Sequence, residues 1–90
     1  DFNAFIEQHQ PRRLFALSTK GQIHYHHIQY KIEDTLLFGP ETRGLPTNVL
    51  DALDTNNILR IPMSGESRSL NLANAAAIVS YEAWRQLDFI

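Results

Sequence analysis

Residues 36–46 read LLFGPETRGLP and residues 61–74 read IPMSGESRSLNLAN, and these two stretches decide the fold. Each begins as an apolar, strand-like run, breaks at glycine or proline into a polar loop, and leads toward a helix. In an open α/β sheet, ligands bind where the carboxyl ends of strands meet such loops. The two loops therefore predict one shared site in an α/β domain.

The rest of the chain continues the alternation of strands and helices that is typical of α/β proteins. The short apolar run at 14–17 is typical of a strand covered on both faces, and residues 23–30 predict an irregular extended stretch. Strands are expected at 14–17, 35–38 and 58–61. Helices are expected at 1–9 and 70–87, and a further helix is expected to have Pro46 in its first turn. This order predicts a mainly parallel sheet.

Three short strands would leave apolar sheet edges open. More strands must therefore come from upstream sequence or from a partner chain. The open apolar edges also lead us to expect that residues 1–90 alone self-associate, as light scattering would show.

The composition excludes several classes of protein. Without cysteine, neither a disulfide framework nor a thiolate metal site is possible, and no apolar run reaches the length of a membrane span. The start at Asp1, with no signal-like segment, leads us to expect a cytoplasmic protein.

The net charge of −2 argues against a general polyanion-binding surface, although a local one stays open. Several basic residues fall at predicted strand ends or in loops, and ordinary solvated charge is the competing explanation for them. They are Arg12, Arg13, Lys20, Arg43, Arg60 and Arg68.

Glycine and charge distinguish the first loop. Gly39 allows a ligand to approach the backbone closely, Gly44 allows a positive φ, and Glu41 and Arg43 are the charged residues of the loop. A plain strand-to-helix turn, in which Glu41 pairs with Arg43, would produce the same pattern.

The second loop leads into a long alanine-rich helix. Ser67 or Ser69 has the position of a helix cap, and free N–H groups at a helix start suit an anion. Asn71 and Asn74 share one face of the first turn. Capping plus solvent exposure is the alternative explanation for these polar residues.

In combination, the two loops resemble the second and third signature motifs of the SPOUT RNA methyltransferases, in the correct order. The stretches RLFALSTKG at 13–21 and YEAWRQL at 81–87 resemble the minimal, single-domain TrmL-like branch of that superfamily. That branch methylates the ribose 2′-hydroxyl of the wobble nucleotide in the tRNA anticodon. The resemblance covers nearly the whole chain and implies a deep trefoil knot, in which the segment from about Ile61 onward threads through a loop of earlier residues.

The resemblance also implies site residues. The cofactor S-adenosyl-L-methionine, and its product S-adenosyl-L-homocysteine, would bind at Leu17, Gly39, Ile61, Met63, Ser69 and Leu70. The polar active-site positions of the family match Glu41, Ser69 and Asn71, and Arg43 and Arg68 would contact RNA. The implied partners are the tRNA anticodon stem-loop and, in the full-length protein, a second copy of the chain in a homodimer.

One feature of the family has no counterpart in these residues. The first family motif carries an asparagine and an arginine, and that arginine is proposed to help activate the 2′-hydroxyl. The first strands and the first helix of the family also have no counterpart here. The resemblance therefore implies that residues 1–90 are the carboxyl-terminal part of a single methyltransferase domain, which includes the knot and the cofactor-binding loops, and that they are catalytically inactive alone. A second hypothesis therefore stays open, in which the chain is a non-catalytic RNA-binding or assembly module on a degenerate version of the fold. An upstream segment with the asparagine and the arginine would decide for the enzyme.

His24, His26 and His27 raise the question of a metal site. His24 and His26 would share a face of a strand, but no acidic or cysteine partner with ligand spacing lies nearby in the sequence. A metal site needs three or four ligands. The sequence therefore predicts no metal.

Overall fold

The structure, a computed structural model, describes residues 2–39, 45–63 and 72–90. Its helices and strands are α1 (Phe2–His9), β1 (Arg13–Leu17), β2 (Ile23–His24), β3 (Asp34–Phe38), α2 (Thr47–Asp51), β4 (Ile58–Arg60) and α3 (Leu72–Gln86). One-turn 3-10 helices cover Tyr25–His27 and Thr55–Asn57. Across these described ranges, no helix combines the length and the apolar character needed to cross a bilayer.

Most of the predicted elements are confirmed, and two differ. The extended stretch predicted at 23–30 is a strand for two residues only, β2, and then turns into a 3-10 helix. Pro46 immediately precedes α2 and does not lie in its first turn, with a backbone ψ of 148° that is extended rather than helical.

The four strands that the described residues form make one sheet in the order β2-β4-β1-β3, and every neighbouring pair is parallel. The predicted mainly parallel sheet is therefore confirmed. In register, Leu17 of β1 is level with Leu59 of β4 on one side and with Phe38 of β3 on the other. Because the strands are parallel, their carboxyl ends lie at one edge of the sheet.

The core is centred on β1, whose residues from Leu14 to Leu17 are all buried. Since side chains alternate along a strand, burial at four consecutive positions means that both faces of β1 are covered, as the sequence predicts. Phe15 and Leu17 share one face and pack in a cluster with Leu59 and with Val79 of α3. Helix α3 therefore covers this face of the sheet.

An ion pair fixes the register of β1 and β3 at the amino edge of the sheet. Arg13 and Asp34 are opposite each other in the ladder, and the guanidinium donates to both carboxylate oxygens, at 2.9 Å from Nε and 2.7 Å from Nη2. The Lys31 amide donates to the same carboxylate at 2.8 Å. Burial acts to raise the pKa of Asp34, but the hydrogen bonds from Arg13 and Lys31 prevail and hold that pKa below its usual value.

The chain crosses over β4 between β1 and β2. These two strands are separated by residues 18–22 alone, yet they lie on opposite sides of β4. At the crossing, the Ser18 amide donates to the Leu59 carbonyl at 2.9 Å. A Cβ atom on Gly21 would come within 2.6 Å of both the carbonyl carbon and the oxygen of Leu59. The two backbones touch here, so only glycine fits.

The Gln86 side chain ties α3 to the segment that follows β2. Its amide nitrogen donates to the Ile28 carbonyl at 2.9 Å, and its oxygen accepts from the Tyr30 amide at 2.9 Å. The second amide hydrogen goes to Glu82 at 2.7 Å. Two of these hydrogen bonds tie the end of α3 to residues 28 and 30, and the third joins Gln86 to Glu82 within the helix.

Arg85 and Gln86 hold the Glu82 carboxylate in its charged form. Arg85 donates to both oxygens at 2.9 Å. These hydrogen bonds, first from Arg85 and then from Gln86, lower the pKa of Glu82 from 4.5 to about 2. The side chain of Glu82 is only 16% exposed, so α3 keeps a nearly covered negative charge.

Replacing Gly21 by alanine should destabilise the complete protein by about 3 kcal/mol, the upper part of the range for overpacking. The added methyl group would meet the Leu59 carbonyl, a backbone group that has no rotamer to escape to. Chemical denaturation measures the loss. Gln22→Ala, at the exposed neighbouring position, is the control and should change little. An unchanged denaturation midpoint for Gly21→Ala would show that the backbones do not touch.

Glu82→Gln should remove a contribution to stability that depends on pH. A carboxylate whose folded pKa is about 2 and whose ordinary pKa is 4.5 stabilises the fold above pH 4.5, and this stabilisation disappears as the pH falls toward 2. The variant should therefore be less stable at pH 7, by about 1 kcal/mol after allowance for solvent screening, and equal to the parent near pH 2. Melting curves across this range measure the difference. Glu7→Gln on α1 is the control, and equal curves for parent and Glu82→Gln would contradict the prediction.

Candidate functional site

Three of the predicted site residues come together at the carboxyl edge of the sheet. The order β4-β1-β3 makes the three strands neighbours, with Leu59, Leu17 and Phe38 level across them. Gly39 directly follows Phe38, and Ile61 directly follows the end of β4. Leu17, Gly39 and Ile61 therefore line one edge, each at or just beyond the end of a different strand.

The side chains of two of these residues are engaged in the core. Leu17 belongs to the buried cluster under α3, and Ile61 is partly buried and packs against that cluster. A ligand at this edge would therefore meet their main chain more than their side chains. Backbone N–H and C=O groups at the ends of parallel strands are the groups that open α/β sheets use to hold ligands.

Met63 lies two residues beyond Ile61 and is 41% exposed. An exposed methionine offers a flexible, polarisable apolar surface to a ligand. Its position after β4 is consistent with the predicted role beside a cofactor, which stays a prediction.

The predicted catalytic residues lie outside the described residues. These are Glu41, Ser69 and Asn71. The same is true of Leu70, predicted at the cofactor, and of Arg43 and Arg68, predicted at RNA. The two loops that carry them connect elements which the structure does place. One loop follows β3 and precedes α2, and the other follows β4 and precedes α3.

The structure separates the basic residues into two groups, which the sequence alone could not do. Arg12 and Arg13 lie at the amino edge of the sheet, where Arg13 pairs with Asp34 and Arg12 lies 3.5 Å from Glu33. These two arginines are therefore far along the strands from the candidate site and have acidic partners.

Lys20 and Arg60 belong to the opposite, carboxyl edge. Lys20 lies in the crossing turn, where its amide donates to the Ser18 hydroxyl at 3.0 Å, and it is exposed. Arg60 ends β4, is exposed, and its Nη2 lies 3.3 Å from Nε2 of His24. Neither is a site residue by the sequence motifs alone. The sequence feature that could identify both is a basic residue within a few positions of the end of a buried strand.

Taken together, this edge combines main-chain groups from three strand ends with two exposed cations. Such an arrangement suits a polar ligand held by main-chain hydrogen bonds next to a negatively charged partner. The charge at the edge is local, since the chain as a whole carries −2.

Comparison with known families gives one clear match. The profile of the SpoU rRNA Methylase family matches residues 1–81. The matched region includes the whole described sheet and both polar loops.

A curated relative supports the same assignment. Over 89 residues, the chain is 54% identical to the tRNA (cytidine(34)-2'-O)-methyltransferase of Escherichia coli strain K12. The alignment covers 99% of this chain and 57% of the relative. The chain therefore spans little more than half the length of the curated relatives it matches.

Solved structures share the fold. One that concerns the 2-OH methylation of C/U34 on tRNA superposes with a TM-score of 0.87 at 47% identity, covering 98% of this chain and 53% of the other. The SpoU methyltransferase AviRb of Streptomyces viridochromogenes, in complex with the cofactor AdoMet, superposes with a TM-score of 0.79 at 30% identity, covering 97% and 34%. The α/β fold with its parallel sheet is thus the fold of these methyltransferases.

Proposed function

Since this chain belongs to the SpoU rRNA Methylase family, we propose that the complete protein transfers a methyl group from S-adenosyl-L-methionine to the 2′-hydroxyl of tRNA nucleotide 34, the wobble position. The observation that carries the proposal is the 54% identity to a relative named for this reaction on cytidine 34. A structure concerned with C/U34 adds uridine as a second substrate base.

The cofactor site we propose is the carboxyl edge of the sheet, with Leu17, Gly39, Ile61 and Met63, completed by Ser69 and Leu70. The relative AviRb, solved with AdoMet, supports the choice of cofactor. The level ends of β4, β1 and β3 support the place, because they bring main-chain groups from three strands together. When bound, the cofactor supplies the activated methyl group, and the chain supplies position.

The part of this chain in the reaction is to bind and orient the RNA. A ribose hydroxyl is a weak nucleophile, and it needs a base or a positioned cation to ease loss of its proton. We assign the polar positions Glu41, Ser69 and Asn71 to holding that hydroxyl in line with the methyl group, since alignment supplies much of the rate. S-adenosyl-L-homocysteine is the product.

Contacts to the RNA backbone would come from the exposed cations. Lys20 and Arg60 stand at the carboxyl edge, and we add them to Arg43 and Arg68 as candidates for phosphate contacts. Single-stranded loops such as the anticodon present unstacked nucleotides that a protein pocket can hold. The tRNA anticodon stem-loop is therefore the partner we propose.

We also propose that the chain forms a trefoil knot, that the complete protein is a homodimer, and that it acts in the cytoplasm. The position of β4 between β1 and β2, which are consecutive in the sequence, supports the knot. An experimental structure that traces residues 61–72 would decide the knot, light scattering of the complete protein would decide the dimer, and cell fractionation would decide the location.

The reaction can be tested with tritiated S-adenosyl-L-methionine and unmodified anticodon stem-loops. We expect the complete protein to label stem-loops with C34 or U34. A matched stem-loop with 2′-deoxyribose at position 34 alone should stay unlabelled, because it lacks the accepting oxygen. Equal label in the deoxy substrate would place the methyl group elsewhere. Tight RNA binding with no label in any substrate would support the alternative, a non-catalytic RNA-binding module.

The same assay tests the polar cluster. Asn71→Ala should lower kcat/KM by about a hundredfold, the scale on which a positioning or proton-handling group acts, and should leave the melting temperature nearly unchanged. Asn48→Ala, an exposed asparagine on α2, is the matched control and should keep full activity. Full activity of Asn71→Ala would remove Asn71 from the catalytic residues.

A further inference from the structure

Three histidines converge on one small patch at the end of β2. His24 is the last residue of β2, and His26 and His27 belong to the 3-10 turn that follows at once. A ring nitrogen from each of the three lies within 4.8 Å of the others. The methyl-transfer function proposed above does not use any of these side chains.

The 3-10 turn is what brings the third histidine in. In a continuous strand, His24 and His26 would share one face and His27 would point to the other. The turn changes that alternation, and the centroids of the His26 and His27 rings are 4.3 Å apart, while each lies 5.6 Å from that of His24. The extended stretch that the sequence predicts would therefore offer only two histidine ligands on one face.

A hydrogen bond and core packing hold the 3-10 turn in place. The Tyr30 hydroxyl, on a side chain that is 5% exposed, donates to the Tyr25 carbonyl at 2.5 Å, and Tyr25 itself packs against the core cluster. With Tyr25 held inward, His26 and His27 are exposed. The patch is thus a fixed backbone carrying two exposed imidazoles that can change rotamer.

The electronic state of His24 suits coordination. Partial burial is the main cause that lowers the pKa of His24, and the positive charge of Arg60 lowers it further. A neutral imidazole is the form that binds a metal ion, and the Arg60 guanidinium 3.3 Å from Nε2 of His24 disfavours a proton there. The Glu82 carboxylate on α3 acts electrostatically on His26 and adds a negative charge near the patch.

We propose that His24, His26 and His27 form a binding site for a late first-row divalent transition ion of the Zn²⁺ type, with solvent in the remaining position. Imidazole nitrogens suit Zn²⁺, Cu²⁺ and Ni²⁺. Two nitrogens at 2.0–2.1 Å from a tetrahedral ion are roughly 3.3 Å apart. The exposed rings of His26 and His27 reach that separation by rotation about their side-chain bonds.

Arg60 sets the affinity of this site. Its guanidinium lies 3.3 Å from Nε2 of His24, so it occupies one possible ligand atom and adds a positive charge beside the ion. Because Arg60 is exposed, it can move into solvent when the ion binds. The competition makes the site weaker than three histidines alone would be, and removal of the charge should strengthen it.

The test is calorimetric titration of ZnCl₂ into the complete, tag-free protein after treatment with a chelator. We expect saturable binding of one ion per chain, with a rise in melting temperature that follows the occupied fraction. His27→Gln and His26→Gln, both at exposed positions that tolerate substitution, should each weaken binding at least tenfold. His9→Gln on α1 is the matched control and should bind like the parent.

The role of Arg60 is tested in the same way. Arg60→Met keeps the apolar stem and removes the charge, and it should tighten Zn²⁺ binding about tenfold. Arg12→Met, at the opposite edge of the sheet, controls for the change in net charge and should leave the affinity unchanged. No saturable binding, or equal binding by His27→Gln and the parent, would overturn the site. Unchanged affinity of Arg60→Met would overturn the competition by Arg60.

Discussion

Two backbones touch where Gly21 passes over Leu59, and the arrangement of the sheet depends on that contact. A chain that leaves β1 has only residues 18–22 in which to reach the far side of β4. Parallel neighbours normally need a crossover of a dozen residues or more. The short connection works because β1 ends and β2 begins at the same level of β4, with Leu17 and Ile23 on either side of Leu59. The chain therefore has only to step across one strand. The step leaves no room for a side chain at position 21.

The amino edge of the sheet holds a structural ion pair, whereas the carboxyl edge holds the candidate site, and the charged residues differ accordingly. At the amino edge, Arg13 and Asp34 neutralise each other and set the register of β1 against β3. That register makes Phe38 level with Leu17 at the other edge, and so places the end of β3 beside the end of β1. Arg12 and Arg13 have acidic partners at the amino edge. At the carboxyl edge, the exposed basic residues among those described are Lys20 and Arg60. A structural ion pair at one edge thus positions the candidate site at the other.

Local patterns in the sequence predict much of this fold. Apolar runs identify β1, β3 and β4 to within one residue, and the small-residue stretch identifies α3, because burial and helix propensity act over a few neighbouring residues. The strand order is not predictable in this way, since it depends on Gly21 meeting a residue that lies far along the chain.

For the candidate site, the shared edge of Leu17, Gly39 and Ile61 follows from the parallel strands. The different surroundings of Arg13 and Lys20 are not predictable, because they depend on which residues the fold places beside them. The extended stretch predicted at 23–30 is wrong beyond His24, because nothing local distinguishes two extended residues followed by a turn from a longer extended segment.

The position of β2 has a consequence for the order of assembly. In the described sheet β2 pairs with β4 alone, through Ile23 beside Leu59 and His24 beside Arg60. Among the described strands, β2 is synthesised before β3 and β4 and has only β4 to join. Its pairing therefore waits until a partner 36 residues further along the chain has settled against β1. Loop closure over such a distance is the slow part of folding for sheets of this kind, so the earliest turn after β1 is among the last parts of the sheet to become ordered.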